Sequence, residues 1–93
     1  MYNKLKIVFD PVKNASNLEK HEGVSLMDAH AFDWDHALYL QDTRQDYGEC
    51  RMLGIGTIAK RLYVVVFVDR AHERRIISLR KANSREVKRY AKT

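Results

Sequence analysis

Apolar and polar residues alternate along the second half of the chain, in three stretches rich in β-branched and aromatic side chains. These stretches span residues 49–57, 61–69 and 74–81, and only short connections separate them. Such a pattern predicts three strands that follow one another as an antiparallel meander. Two shorter apolar segments, residues 5–9 and 37–41, predict one strand near the N-terminus and another before the meander.

The first predicted helix begins at a proline. Asp10 can cap free backbone N–H groups and Pro11 fits the first helical position, while Gly23 favours a left-handed stop after about Glu22. Helical spacing predicts a core-facing side with Val12, Ala15 and Leu18. The other side is predicted to face solvent with basic and amide groups suited to phosphate, namely Lys13, Asn17, Lys20 and His21.

Two further helices are marked by pairs of capping residues. Ser25 with Asp28 predicts a helix through about residue 32, and Asn83 with Glu86 predicts a C-terminal helix. The order β-α-α-β-β-β-β-α predicts an α+β fold, with an antiparallel meander sheet and helices packed on one face. The length of 93 residues predicts a single domain over residues 1–93.

The register of the meander decides what its open face presents. The simplest turns pair Thr57 with Arg61 and Asp69 with Arg74. One face then carries Arg51, Leu53, Ile55, Arg61, Tyr63, Val65, Phe67, Arg74, Ile76, Ser78 and Arg80. The other face is aliphatic and suited to packing under helices. Arginines between aromatic rings suit RNA, but they also keep an exposed sheet soluble, and a shift of one residue would exchange the faces.

Charge adds to this picture, since 17 Lys and Arg against 12 Asp and Glu give a formal net charge of +5. Basic residues dominate the C-terminal quarter, which favours anionic partners such as nucleic acid or an acidic protein. The single Cys50 excludes an intrachain disulfide and suits a reducing compartment. No apolar run is long enough to cross a membrane, so we predict a soluble, cytoplasmic protein with no membrane partner.

Two other patterns have alternative interpretations. A cluster of possible metal ligands, His30, Asp33, Asp35 and His36, follows no known ligand spacing. Phe32 and Trp34 lie among these residues and indicate core packing, so no metal site is predicted. Gly54-x-Gly56 lies inside a predicted strand with no helix after it, which indicates a bulge or close packing rather than a dinucleotide loop.

Three segments, in the same order, resemble signatures of the BrnT ribonuclease toxins of bacterial type II toxin–antitoxin systems. They are Phe9-Asp10-Pro11 continued by Lys20-His21-Glu22-Gly23-Val24-Ser25, Gly54-Ile55-Gly56 before Arg61-Leu62-Tyr63, and Arg75-Ile76-Ile77-Ser78-Leu79-Arg80-Lys81-Ala82 with Glu86 and Tyr90. The chain departs from the family pattern at Phe9, where tryptophan is expected, and at Asp35-His36, in place of Asp-Pro. Glu22 also lengthens the His-Gly junction.

This resemblance implies a RelE-like fold and cleavage of messenger or other cellular RNA. It also implies neutralisation by a cognate DNA-binding antitoxin, similar to BrnA, in a hetero-oligomer that represses its own operon. DNA would then be bound only through the antitoxin. These partners rest on the family likeness alone.

RNA can be cut without metal or another cofactor when its 2′-hydroxyl attacks the adjacent phosphorus. Arg61 and Arg80 are our candidates for stabilising the charge that develops, and His21 for proton transfer, although His21 also suits a cap at a helix C-terminus. The predicted RNA contacts are Lys13, Lys20, Arg51, Lys81 and Arg85. We therefore predict a metal-independent endoribonuclease. The alternatives are a non-catalytic nucleic-acid-binding or regulatory module and a protein that receives an acidic partner segment.

Overall fold

The computed structural model describes residues 5–44, 46 and 48–93. Its elements are β1 (Lys6–Val8), α1 (Pro11–Lys20), a 3₁₀ helix (Leu26–Ala31), β2 (Leu38–Gln41), β3 (Met52–Ile58), β4 (Arg61–Arg70), β5 (Glu73–Lys81) and α2 (Ser84–Ala91). The α+β class is confirmed, and the predicted second helix is of the 3₁₀ type. Residues 42–48 are polar and end in glycine, which predicts a hairpin loop, and residues 45 and 47 of this segment lie outside the described residues.

The helix starts follow the predicted capping residues. Asp10 accepts a hydrogen bond from the backbone N–H of Val12 at 2.8 Å, directly before Pro11. Ser25 and Asp28 form a capping box at the 3₁₀ helix, and Asn83 and Glu86 form another at α2. These bonds satisfy N–H groups that the first turn leaves without partners, which explains why short local motifs fix the three starts.

The sheet has five strands in the order β1-β5-β4-β3-β2. β2 to β5 are antiparallel neighbours, but β1 pairs with β5 in parallel, with Ile7 opposite Arg74. The prediction of a purely antiparallel sheet is therefore wrong, and the sheet is mixed. β1 lies along the outer edge of β5 and runs in the same direction as β5, which adds one parallel pair to an otherwise antiparallel sheet.

The turn between β3 and β4 is shorter than predicted. Ile58 pairs with Arg61, and Ala59 adopts a left-handed conformation with a φ of 56°. The register of β3 is thus shifted by one residue from the predicted one, so that Met52 and not Arg51 lies opposite Phe67. Such a shift moves every side chain of β3 to the other face.

A second irregularity lies between β4 and β5. Val66 pairs with Ser78 but Phe67 pairs with Ile76, so Ile77 is an extra residue on β5. Beyond this bulge Arg80 lies opposite Val64, whereas Arg61 belongs to the face of Tyr63 and Val65. Arg61 and Arg80 therefore lie on opposite faces of the sheet, and the prediction that they share one face is wrong.

The face predicted to be open is the one that the 3₁₀ helix covers. The buried core there consists of Val24, Leu26, Ala29, Phe32, Val65, Phe67, Ile76 and Leu79. Phe67 is only 2% exposed, and the guanidinium of Arg74 lies over its ring at 4.4 Å. The interpretation of Phe67 as a stacking platform for RNA bases is therefore wrong, because its ring is part of the core.

The opposite face also carries buried aliphatic side chains, namely Ile55, Val64, Val66 and Val68. Arg80 belongs to this face and pairs with Glu86 of α2. The sheet therefore has α2 tied to one face and the 3₁₀ helix on the other, so the prediction that the helices pack on one face is wrong. Because both faces of the sheet carry apolar side chains, other elements must pack on both faces to exclude water.

Gly56 permits the close approach of Phe32 to β3, as the sequence indicates. A Cβ atom at Gly56 would lie 2.7 Å from Phe32 Cζ and 3.1 Å from Ala37 Cβ. We expect Gly56→Ala to lower the free energy of unfolding by about 1–3 kcal/mol, because the buried ring has no room to move. Urea denaturation measures this loss. If the clash is the cause, the loss should shrink in a Phe32→Leu background, and an equal loss in both backgrounds would contradict it.

Candidate functional site

Helix α1 is anchored to β5 by one amide side chain. Asn17 donates from Nδ2 to the carbonyl oxygens of Val24 and Leu79, each at 2.8 Å, and its Oδ1 accepts from the Leu79 N–H at 3.2 Å. β1 pairs with residues 73–75 of β5, so among the described residues no strand lies beside the edge of β5 at Leu79. Asn17 supplies the bonds there that a neighbouring strand would make.

This anchoring reverses the predicted orientation of α1. Asn17 is 5% exposed, whereas Val12 is 77% and Leu18 is 37% exposed. The prediction that Asn17 faces solvent as a phosphate contact is therefore wrong, and so is the prediction that Val12, Ala15 and Leu18 face the core, since all three are exposed. α1 is held by hydrogen bonds to a strand edge rather than by an apolar stripe, which helical periodicity alone does not reveal.

The C-terminus of α1 forms a tight corner. The helix ends at Lys20, earlier than predicted, and the N–H of His21 caps it by donating to the Asn17 carbonyl at 2.9 Å. Glu22 and Gly23 follow in left-handed conformations, with φ values of 55° and 85°. The Gly23 N–H donates to the Leu18 carbonyl at 2.8 Å, which closes the helix end.

A cleft follows the line along which α1 lies against β5. One part has a volume of about 280 Å³ and is lined by Lys13, Ser16, Asn17, Lys20, His21, Ile77 and Ser78. The adjoining part, of about 210 Å³, is lined by Lys20, His21, Glu22, Arg80 and Lys81. Lys20 and His21 belong to both parts, so we treat them as one site, the α1–β5 cleft.

The cleft brings together five of the eight residues predicted to act on RNA. They are Lys13, Lys20, His21, Arg80 and Lys81. Four of these side chains are cationic at neutral pH, and an open cleft with this charge attracts the phosphates of a nucleic acid. Residues far apart in sequence thus form one basic surface, because α1 crosses the end of β5.

The remaining three predicted residues line neither part of the cleft. Arg61 is exposed at the start of β4, and Arg85 is exposed in the first turn of α2. Arg51 is half-buried directly before β3, where its carbonyl accepts a hydrogen bond from the Asp42 N–H at 2.8 Å. The structure therefore does not bring Arg61 together with Arg80 or His21 in the cleft.

Arg80 is the most constrained cation of the cleft. Its two terminal nitrogens donate to the two carboxylate oxygens of Glu86, at 2.8 and 2.7 Å. The hydrogen bonds from Arg80 lower the pKa of Glu86, and the backbone N–H of Asn83 adds to this effect against the opposing influence of burial. A bidentate pair of this kind fixes the orientation of the guanidinium.

Four residues that line the cleft were not predicted to act on RNA, namely Ser16, Glu22, Ile77 and Ser78. Ser16 lies between Lys13 and Lys20 on the same side of α1, so helical spacing could have identified it. Ser78 depends on the bulge at Ile77, which leaves no clear trace in the sequence. Glu22 depends on the left-handed corner after α1, where glycine would be the usual residue.

The possible metal ligands His30, Asp33, Asp35 and His36 do not form a metal-binding group in the part of the chain that the structure describes. In that part of the chain, no group of three or more His, Cys, Asp and Glu side chains is arranged to hold a metal ion. His36 instead pairs with Asp33 at 3.0 Å. None of the described helices has the length and apolar character required to span a membrane.

Comparison with known protein families gives one match that covers most of the chain. Residues 9–86 match the family described as the ribonuclease toxin, BrnT, of type II toxin–antitoxin systems. The matched residues include both walls of the α1–β5 cleft. No curated protein matches the chain.

Proposed function

We propose, because the chain belongs to the BrnT family of ribonuclease toxins of type II toxin–antitoxin systems, that it is a metal-independent endoribonuclease that cleaves cellular RNA in the α1–β5 cleft. The observation that carries this proposal is the meeting of His21 with Lys20, Arg80 and Lys81 in one open depression. A proton-transfer group and fixed cations at one place are what phosphodiester cleavage without metal requires.

The proposed reaction begins with the 2′-hydroxyl of the RNA. Its oxygen attacks the adjacent phosphorus, the bond from phosphorus to the 5′-oxygen breaks, and a 2′,3′-cyclic phosphate and a 5′-hydroxyl result. Arg80, Lys20 and Lys81 stabilise the charge on the phosphate oxygens, and His21 transfers a proton. Lys13, at the far end of the cleft, holds a neighbouring phosphate.

The residues outside the cleft have a different role in this proposal. Arg61, Arg51 and Arg85 serve as contacts for RNA that extends past the cleft, because their charge acts over several ångströms even where they do not touch the reacting phosphate. We thus propose that Lys20 and Lys81, together with Arg80, have the charge-stabilising role that was predicted for Arg61.

Purified protein incubated with a mixed-sequence RNA in excess EDTA tests the proposal. We expect fragments that end in a 2′,3′-cyclic phosphate, and a rate about tenfold or more lower for Lys20→Ala/Lys81→Ala, which removes two phosphate contacts. Lys88→Ala/Lys92→Ala removes two cations at the C-terminal end of α2, Lys88 within the helix and Lys92 at its cap, and neither residue lines the cleft. Equal losses in both double variants would show a general charge effect rather than a site.

A non-catalytic nucleic-acid-binding module remains the second candidate. The specific observation in its favour is the pair between Arg80 and Glu86, which already occupies both terminal nitrogens of the central cation. A binder would show affinity that falls steeply with salt and no fragments in the EDTA experiment. Intact RNA with salt-dependent binding by folded protein would favour this candidate over the enzyme.

Membership of a type II toxin–antitoxin family implies a protein antitoxin as partner. We propose a DNA-binding antitoxin that neutralises the toxin in a hetero-oligomer in the cytoplasm, with DNA bound only through the antitoxin and the complex repressing its own operon. A RelE-like arrangement of the fold is part of the same proposal. The basic cleft supports it, since an acidic antitoxin segment would fit the same surface.

A further inference from the structure

The α1–β5 cleft contains one carboxylate among the described residues that line it. Glu22 borders the 210 Å³ part, together with Lys20, His21, Arg80 and Lys81. The three lysine and arginine side chains are protonated at neutral pH and only donate hydrogen bonds. Glu22 and His21 are therefore the two side chains of this part with the chemistry to exchange a proton during the reaction.

The backbone conformation of Glu22 is unfavourable for a residue that has a Cβ atom. Its φ of 55° lies in the left-handed region, which costs a residue with a Cβ atom about 1–2 kcal/mol relative to the right-handed one. Glycine meets no such cost, and Gly23 directly follows in the same region. Strained residues of this kind cluster at functional sites, where the side chain contributes something that glycine lacks.

We propose, on the basis of the function proposed above, that Glu22 is the general base of RNA cleavage and His21 the general acid. The Glu22 carboxylate takes the proton from the 2′-hydroxyl while the 2′-oxygen forms its bond to phosphorus. The bond from phosphorus to the 5′-oxygen breaks, and the 5′-oxygen takes a proton from the His21 imidazolium. Glu22 ends protonated and His21 neutral, and proton exchange with water restores both.

The surroundings favour this division of roles over the reverse one. His21 is the C-cap residue of α1, and the negative end of a helix dipole suits a group that carries positive charge before it donates a proton, which assigns the acid role to His21. The other charged groups that face the pair are Lys20 from α1, and Arg80 and Lys81 from β5. Glu86 of α2 is engaged by Arg80 and does not line the cleft, so it does not serve as a base.

Glu22→Gln tests the base, with Glu19→Gln as the matched control. Glu19 is exposed on α1, carries the same charge and does not line the cleft. We expect Glu22→Gln to lower the cleavage rate about 100-fold and to flatten the acid side of the pH–rate profile. Binding of an RNA with a 2′-deoxy residue at the cleaved position should be unchanged or tighter, since a negative charge is lost near phosphate.

A substrate with a good leaving group separates the acid from the base. In an RNA with sulfur in place of the 5′-bridging oxygen at the mapped cleavage site, the leaving thiolate needs no proton. We expect this RNA to restore most of the rate of His21→Gln and none of the rate of Glu22→Gln. Restoration of Glu22→Gln instead would overturn the assignment of Glu22 as base.

Glu22→Gly distinguishes a catalytic from a structural role. Glycine relieves the left-handed backbone, so the unfolding midpoint should be equal to or higher than that of the wild type while the cleavage rate falls. Wild-type and Glu22→Gln rates within threefold of each other would overturn the role of Glu22 and leave the ribonuclease intact. A folded wild type that binds RNA and never cuts it would overturn the ribonuclease proposal, and the role of Glu22 with it.

Discussion

Asn17→Asp is expected to lower the free energy of unfolding by about 3–5 kcal/mol at neutral pH. The substitution keeps the size of the side chain but replaces the Nδ2 donor with an oxygen. That oxygen would face the carbonyls of Val24 and Leu79, each 2.8 Å from the present nitrogen, at a site that is 5% exposed. Two favourable bonds thus become two repulsive contacts with a buried charge. Chemical denaturation at pH 7 measures the loss.

The dependence on pH identifies the cause. Burial and the two carbonyls raise the pKa of the introduced carboxyl in the folded state above its value in the unfolded chain. The folded state then binds the proton more tightly, so part of the lost stability returns as the pH falls through the raised pKa and it declines again as the pH rises. Denaturation at several pH values between 4 and 7 follows this recovery.

Asn14→Asp is the matched control in the same helix. The side chain of Asn14 acts only as an acceptor in the bonds that the structure shows, because its Oδ1 accepts from the Leu26 N–H at 2.7 Å and from the Ser25 hydroxyl at 3.3 Å. A carboxylate accepts the same bonds, so the expected loss is below about 1 kcal/mol. Equal losses for Asn14→Asp and Asn17→Asp would show that negative charge on α1, and not the anchor to β5, is responsible.

The elements that local chemistry determines were predictable from the sequence. Asp10 with Pro11, Ser25 with Asp28, and Asn83 with Glu86 mark helix starts whose capping bonds form within a few residues. The strands were recognisable in the same way from their composition, and Asp69 opposite Arg74 was predicted correctly. In each case the determining contacts are close in sequence.

The faces of the sheet were not predictable, because two single-residue features decide them. The β3–β4 turn places Ala59 at a φ of 56° without the glycine or asparagine that usually marks such a turn. The bulge at Ile77 then shifts the end of β5, including Arg80, relative to β4. The turn exchanges the faces of the β3 side chains, and the bulge places Arg80 on the face opposite Arg61.

The candidate site was predictable in its residue types but not in its location. His21, Lys20 and Lys13 were recognised on α1, and Arg80 and Lys81 on β5, yet the sequence suggested an arginine-rich sheet face as the place where RNA binds. The hydrogen bonds of Asn17 place α1, and with it the site, at the edge of β5. This location was not predictable, because helical spacing does not distinguish a buried amide from one that faces solvent. The contact between α1 and β5 spans 62 positions, and no local rule gives it.

Arg80→Ala is expected to lower the rate of RNA cleavage on the order of 100-fold, because it removes a fixed guanidinium from the reacting phosphate. It should also lower the free energy of unfolding by about 1–3 kcal/mol, since Glu86 loses a bidentate partner at a site where its side chain is 17% exposed. Cleavage assays on protein shown to be folded, together with urea denaturation, measure both effects. Arg80→Ala alone does not separate the effect of the lost cation on cleavage from the effect of the lost ion pair on stability.

Glu86→Gln separates the two effects, because it weakens the same pair and keeps Arg80. The amide oxygen still accepts the Asn83 N–H bond, which is 2.8 Å in the wild type, so the start of α2 is preserved. We expect a stability loss of about 1–2 kcal/mol and a cleavage rate within threefold of the wild type. A loss of activity as large as that of Arg80→Ala would show that the pair, and not the cation, is needed.

The pH dependence of stability gives an independent check on the same pair. Arg80 lowers the pKa of Glu86 in the folded state, so its contribution to stability is present above the pKa of the unfolded chain and is lost as the pH falls through the folded value. The stability of the wild type should therefore decline more steeply than that of Glu86→Gln as the pH is lowered below about 4.5. Parallel declines would mean that the carboxylate of Glu86 adds nothing to the fold, and the Arg80 guanidinium would then be held in the cleft by other contacts.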